Sequence, residues 1–169
     1  LDYIYAVSKD ENDYAIQLDK MLTQNRNIIV TVGFQMEAIT LEYALANPEV
    51  HFVGVDHSYS GEEIPANLVG LQFSEDEAAF VAGALAGLMT TSNRVGVIGG
   101  VQIPPVERLA EGFRNGARYV NPAIGEDDVL IVYTGSFDNP ALGGDTAVEF
   151  IAQDVDVIFG AAGGTGYAG

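Results

Sequence analysis

Short, branched apolar runs alternate along this chain with turn residues and helically spaced segments, and that alternation restricts the fold more than any other feature. Runs at residues 28–32, 51–55, 95–98, 129–133 and 155–159 are apolar almost throughout, as strands of a buried parallel sheet are. A sixth run, residues 3–7, has the same character. Strands alternating with helices predict an α/β fold, doubly wound, in which mostly parallel sheets carry helices on both faces.

The helical segments are legible from their spacing. Val106, Leu109, Ala110, Phe113, Ala117 and Val120 form one apolar stripe that begins behind Pro104 and Pro105, where proline suits a first helical turn. Residues 12–24 place Tyr14, Leu18, Met21 and Leu22 on one face. Asn139 and Pro140 open a further helix, expected to turn Ala141, Val148 and Ile151 inward. In residues 75–89, Ala79, Gly83 and Gly87 recur every four positions, so this helix exposes its backbone along one side. Each glycine costs about 1 kcal/mol of helix stability relative to alanine, which close packing against a neighbour would offset. Residues 66–73 form a short extended stretch with no helix between it and the turn at Ser60 and Gly61. That places a lobe boundary there and divides residues 1–73 from 74–169.

Composition excludes several classes of function. Seven basic residues against 24 acidic ones give a net charge of -17, which repels phosphate backbones and argues against a nucleic-acid partner. The chain has no cysteine, so disulfides, thiolate catalysis and cysteine-bound zinc are out. No run reaches the roughly 18–20 apolar residues of a membrane span. The first residue is not Met, no signal or lipidation motif is present, and the last residues form a glycine-rich turn, so both ends look cut. A parallel sheet missing strands exposes edges and apolar faces, which predicts poor stability of these residues in isolation.

In an open α/β sheet, ligands bind beyond the carboxyl ends of the strands, where loops converge. The residues there are Gly33 and Phe34; Asp56, His57 and Ser58; Gly99 and Gly100; residues 134–137; and residues 160–166. Glycines, hydroxyls, one acid and aromatics suit a neutral polar ligand with a flat ring, and a basic phosphate clamp is missing. Asp56 is open to two readings, a ligand contact or the cap of a following turn. Phe34 and Phe159 are likewise either ligand platforms or core. His57 is expected to be structural, since nothing around it resembles a metal-ligand set, and no metal or other cofactor is expected. Asp56, His57 and Ser58 do not form a catalytic triad, because neighbours on an extended chain point to opposite faces. The alternative is an NAD(P)-dependent oxidoreductase on a Rossmann-like sheet. It rests on the glycine spacing of residues 164–169, which follow a late strand without the acidic residue that normally completes the fingerprint.

Six stretches carry a resemblance: Thr31-Val-Gly-Phe34, His51-Phe-Val-Gly-Val-Asp56, Glu77-Ala-Ala-Phe-Val-Ala-Gly-Ala-Leu-Ala86, Gly99-Gly-Val-Gln-Ile-Pro104, Gly135-Ser-Phe-Asp-Asn-Pro140 and Ala162-Gly-Gly-Thr-Gly166. Spread over nearly the whole chain, they resemble the basic membrane protein family of transporter substrate-binding lipoproteins, whose best-understood members are purine nucleoside receptors. The resemblance implies a type I periplasmic-binding-protein fold, two lobes that clamp a ligand by hinge closure, and no enzymatic activity. It implies a purine nucleoside as ligand, an ABC transporter permease as partner, and an extracytoplasmic location with a lipid anchor outside these residues. Asp56 matches the family's ligand-holding acid and Phe159 an aromatic of its base pocket. Gly33, Phe34, Gly163, Gly164 and Thr165 would line the cleft. The family's N-terminal Asp with a Ser-Phe-Asn signature and a later Gly-Val-Asp have no counterpart here. A third reading, a sugar-sensing regulator on the same fold, would need a DNA-binding segment upstream.

Overall fold

The computed structural model describes residues 2–9, 11–59, 61 and 63–167. The chain divides into two compact units, Leu1–Phe73 and Ser74–Gly169. Each is built on its own three-stranded, wholly parallel sheet.

The first unit contains α1 (Asn12–Thr23), β1 (Ile28–Val32), a single 3-10 turn (Phe34–Met36), α2 (Glu37–Ala46), β2 (His51–Val55) and β3 (Leu68–Leu71), with sheet order β1-β2-β3. One face of the sheet is packed: Ile29, Phe52 and Leu68 meet Leu18, Met21 and Leu22 of α1 and Ile39, Leu41, Tyr43 and Ala44 of α2. Asn67 secures the base of this unit, its amide donating to the carbonyls of Ala44, Asn47 and Val50 at 2.8–3.0 Å. The opposite face, with Ile28, Val30, Val32, Val69 and Leu71, is exposed among the described residues. Parallel sheets are normally covered on both faces, so this one falls short of the rule.

The expected strand at residues 3–7 is not formed. No backbone ladder bond joins those residues to a neighbour among the described ones, and Tyr3, Tyr5 and Val7 are exposed. Strand propensity alone does not make a strand without an edge to pair with. The helix α2 has no counterpart in the sequence reading, because apolar residues lie nearly all round it and show no single stripe. Of the turn expected at Ser60 and Gly61, Ser60 lies outside the described residues.

The second unit contains α3 (Glu75–Met89), β4 (Val95–Gly99), α4 (Pro104–Val120), β5 (Val129–Tyr133), α5 (Pro140–Ile151), β6 (Val157–Ala161) and α6 (Gly163–Tyr167), with sheet order β5-β4-β6. Here both faces are covered. Val95 and Val97 pack under α3 and α4, while Ile98 packs with Ala147, Phe150 and Val155 on the α5 side. β6 starts two residues later than expected, because the Val155 N–H is taken by the Phe150 carbonyl at the end of α5 (3.1 Å). α5 also turns a different face inward than expected. It buries Gly143, Thr146, Ala147 and Phe150, and leaves Ala141, Val148 and Ile151 exposed. The reason is shape: a side chain at Gly143 would strike the Thr165 carbonyl, and the Phe150 ring fills the space over Gly96.

The glycines of α3 do face a neighbour, and that neighbour answers with glycines of its own. A Cβ at Gly83 would collide with the Phe113 carbonyl and one at Gly87 with that of Ala117. Added carbons at Gly112 and Gly116 of α4 would meet the Asp76 and Phe80 carbonyls. The two backbones therefore pack with no side chain between them at four points. At the far end of α3, Asp156 ties the helix exit to β6. Its carboxylate accepts from the N–H and hydroxyl of Thr91 (2.7 and 2.8 Å), the N–H of Ser92 (3.0 Å) and the hydroxyl of Thr90. Burial pushes this carboxyl up, but those hydrogen bonds outweigh it and hold it well below the usual carboxylate range.

Two outcomes follow for the intact protein. Gly116→Ala raises helix propensity by about 1 kcal/mol, yet it should lower stability by about 1–3 kcal/mol through overpacking; the sign of the change in a denaturant melt decides. Asp156→Asn should lower the melting temperature at neutral pH. Since the folded carboxyl is depressed, that stabilisation is complete above the unfolded carboxylate range and lost as pH falls through the folded value, so melts of the two proteins should converge in acid.

Candidate functional site

In the first unit the register sets two rows of side chains on the packed face. Ile29, Phe52 and Leu68 form a bulky row, and two residues further on Thr31, Gly54 and Gly70 form a row almost without side chains. The chain beyond β2 folds back into that space. A Cβ at Gly54 would fall on the imidazole of His57, and one at Gly70 on the His57 carbonyl and the ring of Tyr59. His57 is fully buried and Tyr59 is 5% exposed. Their rings meet edge to face with centroids 5.5 Å apart.

Both imidazole nitrogens are engaged: Nε2 lies 2.9 Å from the Gly33 carbonyl oxygen and Nδ1 lies 2.7 Å from the Tyr59 hydroxyl. A carbonyl only accepts, so Nε2 carries the proton. Burial pushes the His57 pKa down, against the opposing influence of the Gly33 bond, Glu37 and Asp56, so the ring is neutral and Nδ1 accepts the Tyr59 hydroxyl proton. Burial and then Glu37 push Tyr59 up to about 12, which keeps that hydroxyl protonated. The Gly33 N–H in turn donates to the Val55 carbonyl (3.0 Å). The loops after β1 and β2 are thus joined at two points.

Asp56 follows β2 directly, at φ 65°, with its N–H held by the Leu71 carbonyl (2.9 Å). It does not cap the turn that follows. Glu37, at the start of α2, does so instead: its carboxylate accepts the N–H of Ser58 (3.0 Å) and of Tyr59 (3.1 Å). Tyr59 sits at φ 48°, a costly conformation for a bulky residue, and the Glu37 and His57 bonds hold it there. The Asp56 carboxylate, half-buried, makes no hydrogen bond with the described residues. Beside it in the sheet order, Phe34 opens the 3-10 turn and lines a hollow of about 420 Å³ with Gln35, Glu37, Ala38, Leu41 and Tyr59. Gly33, Phe34 and Asp56 therefore stand together at the carboxyl end of the first sheet.

In the second unit the corresponding end is formed by the loops after β4, β5 and β6. The Phe137 ring lies over Gly100, and the Gly135 N–H donates to the Gly100 carbonyl (3.1 Å). Gly163 and Gly164 pass close to the Phe137 carbonyl. Thr165 is fully buried; its hydroxyl oxygen accepts the Asn139 N–H (2.9 Å) and its own N–H donates to the Phe137 and Ala162 carbonyls. Its side chain fixes the loop, leaving Gly163 and Gly164 at the rim. Phe159 lies in mid-strand opposite Val97, partly buried, its ring stacked on Phe113 with centroids 5.0 Å apart and planes 4° from parallel. Of the glycine pattern 164–169, Gly166 packs on Gly160, and Ala168 and Gly169 lie outside the described residues. A hollow of about 550 Å³ is lined by α3 and α4 alone, among them Glu77, Phe80, Glu107 and Arg108, and by none of the strand-end loops. Among the described residues no cluster of His, Asp and Glu is placed to hold a metal, and no helix is long and apolar enough to cross a membrane.

Glu37 and Tyr59 are absent from the sequence reading, and His57 appears there only as structural. The signal that pointed to them is the pair of glycines inside strand runs, Gly54 and Gly70, since an isolated strand glycine marks close approach by another part of the chain.

A model of the family described as ABC transporter substrate-binding protein PnrA-like matches residues 1–168. Basic membrane protein A1 of Borrelia garinii subsp. bavariensis is 32% identical over 152 residues, 90% of this chain and 44% of that protein. The CD4+ T-cell-stimulating antigen of Listeria monocytogenes serovar 1/2a is 31% identical over 164 residues, 97% of this chain and 44% of that protein. Among solved structures, an ABC transporter solute-binding protein from Aeropyrum pernix K1 aligns with a TM-score of 0.79 at 29% identity, covering 95% of this chain and 46% of that one. The chain thus spans less than half the length of these relatives. The oxidoreductase reading gains no support from any of them.

Gly33 offers a check on how the rim is held. It adopts φ 103° with open space where a Cβ would go, so Gly33→Ala should cost about 1–3 kcal/mol through backbone strain alone. A denaturant melt of the intact protein reads this directly.

Proposed function

From the premise that the chain belongs to the PnrA-like family of ABC transporter substrate-binding proteins, we propose that it is the solute-capturing part of an extracytoplasmic receptor that delivers a small neutral molecule, a purine nucleoside, to an ABC permease. No bond is made or broken in this role. Capture follows hinge closure of two lobes around the ligand, which favours the closed form because only that form makes the full set of contacts. The protein is held at the membrane by a lipid anchor outside these residues.

The observation that carries this reading is the state of Asp56. It stands at a strand end, where ligands of α/β sheets bind. Its capping duty is taken by Glu37, and its carboxylate is left without a hydrogen bond among the described residues. A half-buried acid in that position suits hydroxyl or amine donors of a sugar or base. Phe34 offers an aromatic surface nearby, Gly33, Gly163 and Gly164 offer backbone, and Phe159, partly buried with its ring stacked on Phe113, is assigned to the base. Thr165 contributes by holding the Gly163–Gly164 turn.

Calorimetry on the full-length protein with adenosine, guanosine and inosine, against sugars and amino acids, tests the ligand class. A nucleoside should bind, and the assignment fails if none does while a sugar or amino acid binds. Asp56→Asn should weaken binding at least about tenfold, from the loss of a hydrogen bond to a charged group worth about 1.5–3 kcal/mol. Because asparagine tolerates the same left-handed backbone, its folding stability should stay within about 0.5 kcal/mol of wild type.

A further inference from the structure

Glu37 opens α2, where an acidic side chain ordinarily serves its own helix, whose free N–H groups favour negative charge. The α2 N-terminus has no side-chain cap, its N-cap residue being Met36, yet the Glu37 carboxylate is engaged elsewhere. It reaches a turn 21 and 22 residues further along the chain and gives one oxygen to each of two N–H groups. Oε2 accepts from Ser58 at 3.0 Å and Oε1 from Tyr59 at 3.1 Å. No ion pair joins Glu37 to a basic side chain among the described residues. Those two N–H groups lie two and three residues beyond Asp56. An aspartate ordinarily accepts from the backbone N–H two residues on, and its side chain then closes its own turn. With Ser58 and Tyr59 already engaged, that closure is denied to Asp56, which stays half-buried and without a side-chain hydrogen bond among the described residues. Glu37, Phe34 and Tyr59 also line one hollow, so the same two bonds fix the Asp56 turn against the segment that carries Phe34.

We propose that Glu37 is a positioning residue for ligand capture: by holding the Ser58 and Tyr59 N–H groups it removes the intramolecular partner that competes with a ligand for the Asp56 carboxylate. An Asp56 that caps its own turn is withdrawn from binding, and the apparent affinity scales with the fraction of molecules in which it is free. Glu37 keeps it free in nearly every molecule. The acid that meets the ligand and the acid that prepares it are thus two different residues, brought together by the packing of α2 beside β2.

This role rests on Asp56 being a ligand contact, so two measurements that fail separately test it. The first is calorimetry of the full-length protein with adenosine, guanosine and inosine. Glu37→Gln keeps the shape of the side chain but sets an NH2 group against one of the two N–H donors. The nucleoside that binds wild type should bind this variant about tenfold more weakly, as when the free form of Asp56 drops to about one tenth of the population. Glu37→Asp keeps the charge and is one methylene too short to hold both groups, so it should bind as weakly; wild-type affinity in Glu37→Asp would mean that charge alone matters and would overturn the proposal. In Asp56→Gly, where glycine suits the positive φ, no carboxylate is left to free. Adding Glu37→Gln there should change the remaining affinity less than about twofold. A second tenfold loss, as general loosening of the loop would give, also overturns the proposal. The second measurement is a crystal structure of unliganded full-length Glu37→Gln. An Asp56 carboxylate oxygen should lie within about 3.2 Å of the Ser58 or Tyr59 nitrogen, and an Asp56 still without a partner contradicts the competition. If no nucleoside binds wild type, the ligand reading is what has failed, and this structure alone decides on Glu37.

Discussion

A glycine within a strand takes a side chain off the face of a sheet, and a protein interior packed to crystal density does not leave that volume empty. In the first unit the vacancy over Gly54 and Gly70 draws in His57 and Tyr59. In the second, Phe150 fills the space over Gly96, Tyr133 that over Gly99 and Phe137 that over Gly100. Of these, His57, Tyr59 and Phe137 belong to strand-end loops, which are thereby held against the sheets without the regular hydrogen bonding of helix or strand.

This filling also decides which polar groups remain free for other work. His57 and Tyr59 use their polar atoms on each other and on Gly33, and Glu37 spends its carboxylate on the N–H groups of Ser58 and Tyr59. Buried polar groups are costly unless paired, and these are paired. Asp56, one residue away, is left out of the network and half-buried, a state that suits an incoming donor better than it suits an isolated fold. In the second unit Thr165 plays the part that His57 plays in the first, tying one strand-end loop to the next through the Asn139 N–H.

Much of the layout was legible in the sequence. β1, β2 and β5 fall on the apolar runs, and α4 turns inward the stripe that its spacing marks, because one-sided patterns report burial directly. What was not legible depends on distant partners. α2 is apolar nearly all round, so its pattern gives no face. α5 departed from the expectation, burying Gly143, Thr146, Ala147 and Phe150 and exposing Val148 and Ile151, because the close approach of Gly143 to the Thr165 carbonyl and the space over Gly96 chose the face. Residues 3–7 have strand composition and no ladder. At the site, Asp56 was marked by its place after a strand, but that it does not cap the following turn is visible only through Glu37, 19 positions earlier in the chain, which accepts the Ser58 and Tyr59 N–H groups instead. Likewise the α4 glycines that answer Gly83 and Gly87 carry meaning only once the two helices are seen together.

The central claim is that the Asp56 carboxylate is kept free to receive a ligand. A crystal structure of the full-length protein with its bound solute tests it most directly. The account requires an Asp56 carboxylate oxygen within hydrogen-bonding distance of a ligand hydroxyl or amine, about 2.5–3.2 Å, with Glu37 still on the Ser58 and Tyr59 N–H groups. A ligand seated elsewhere, with Asp56 turned to cap its own loop, would contradict it.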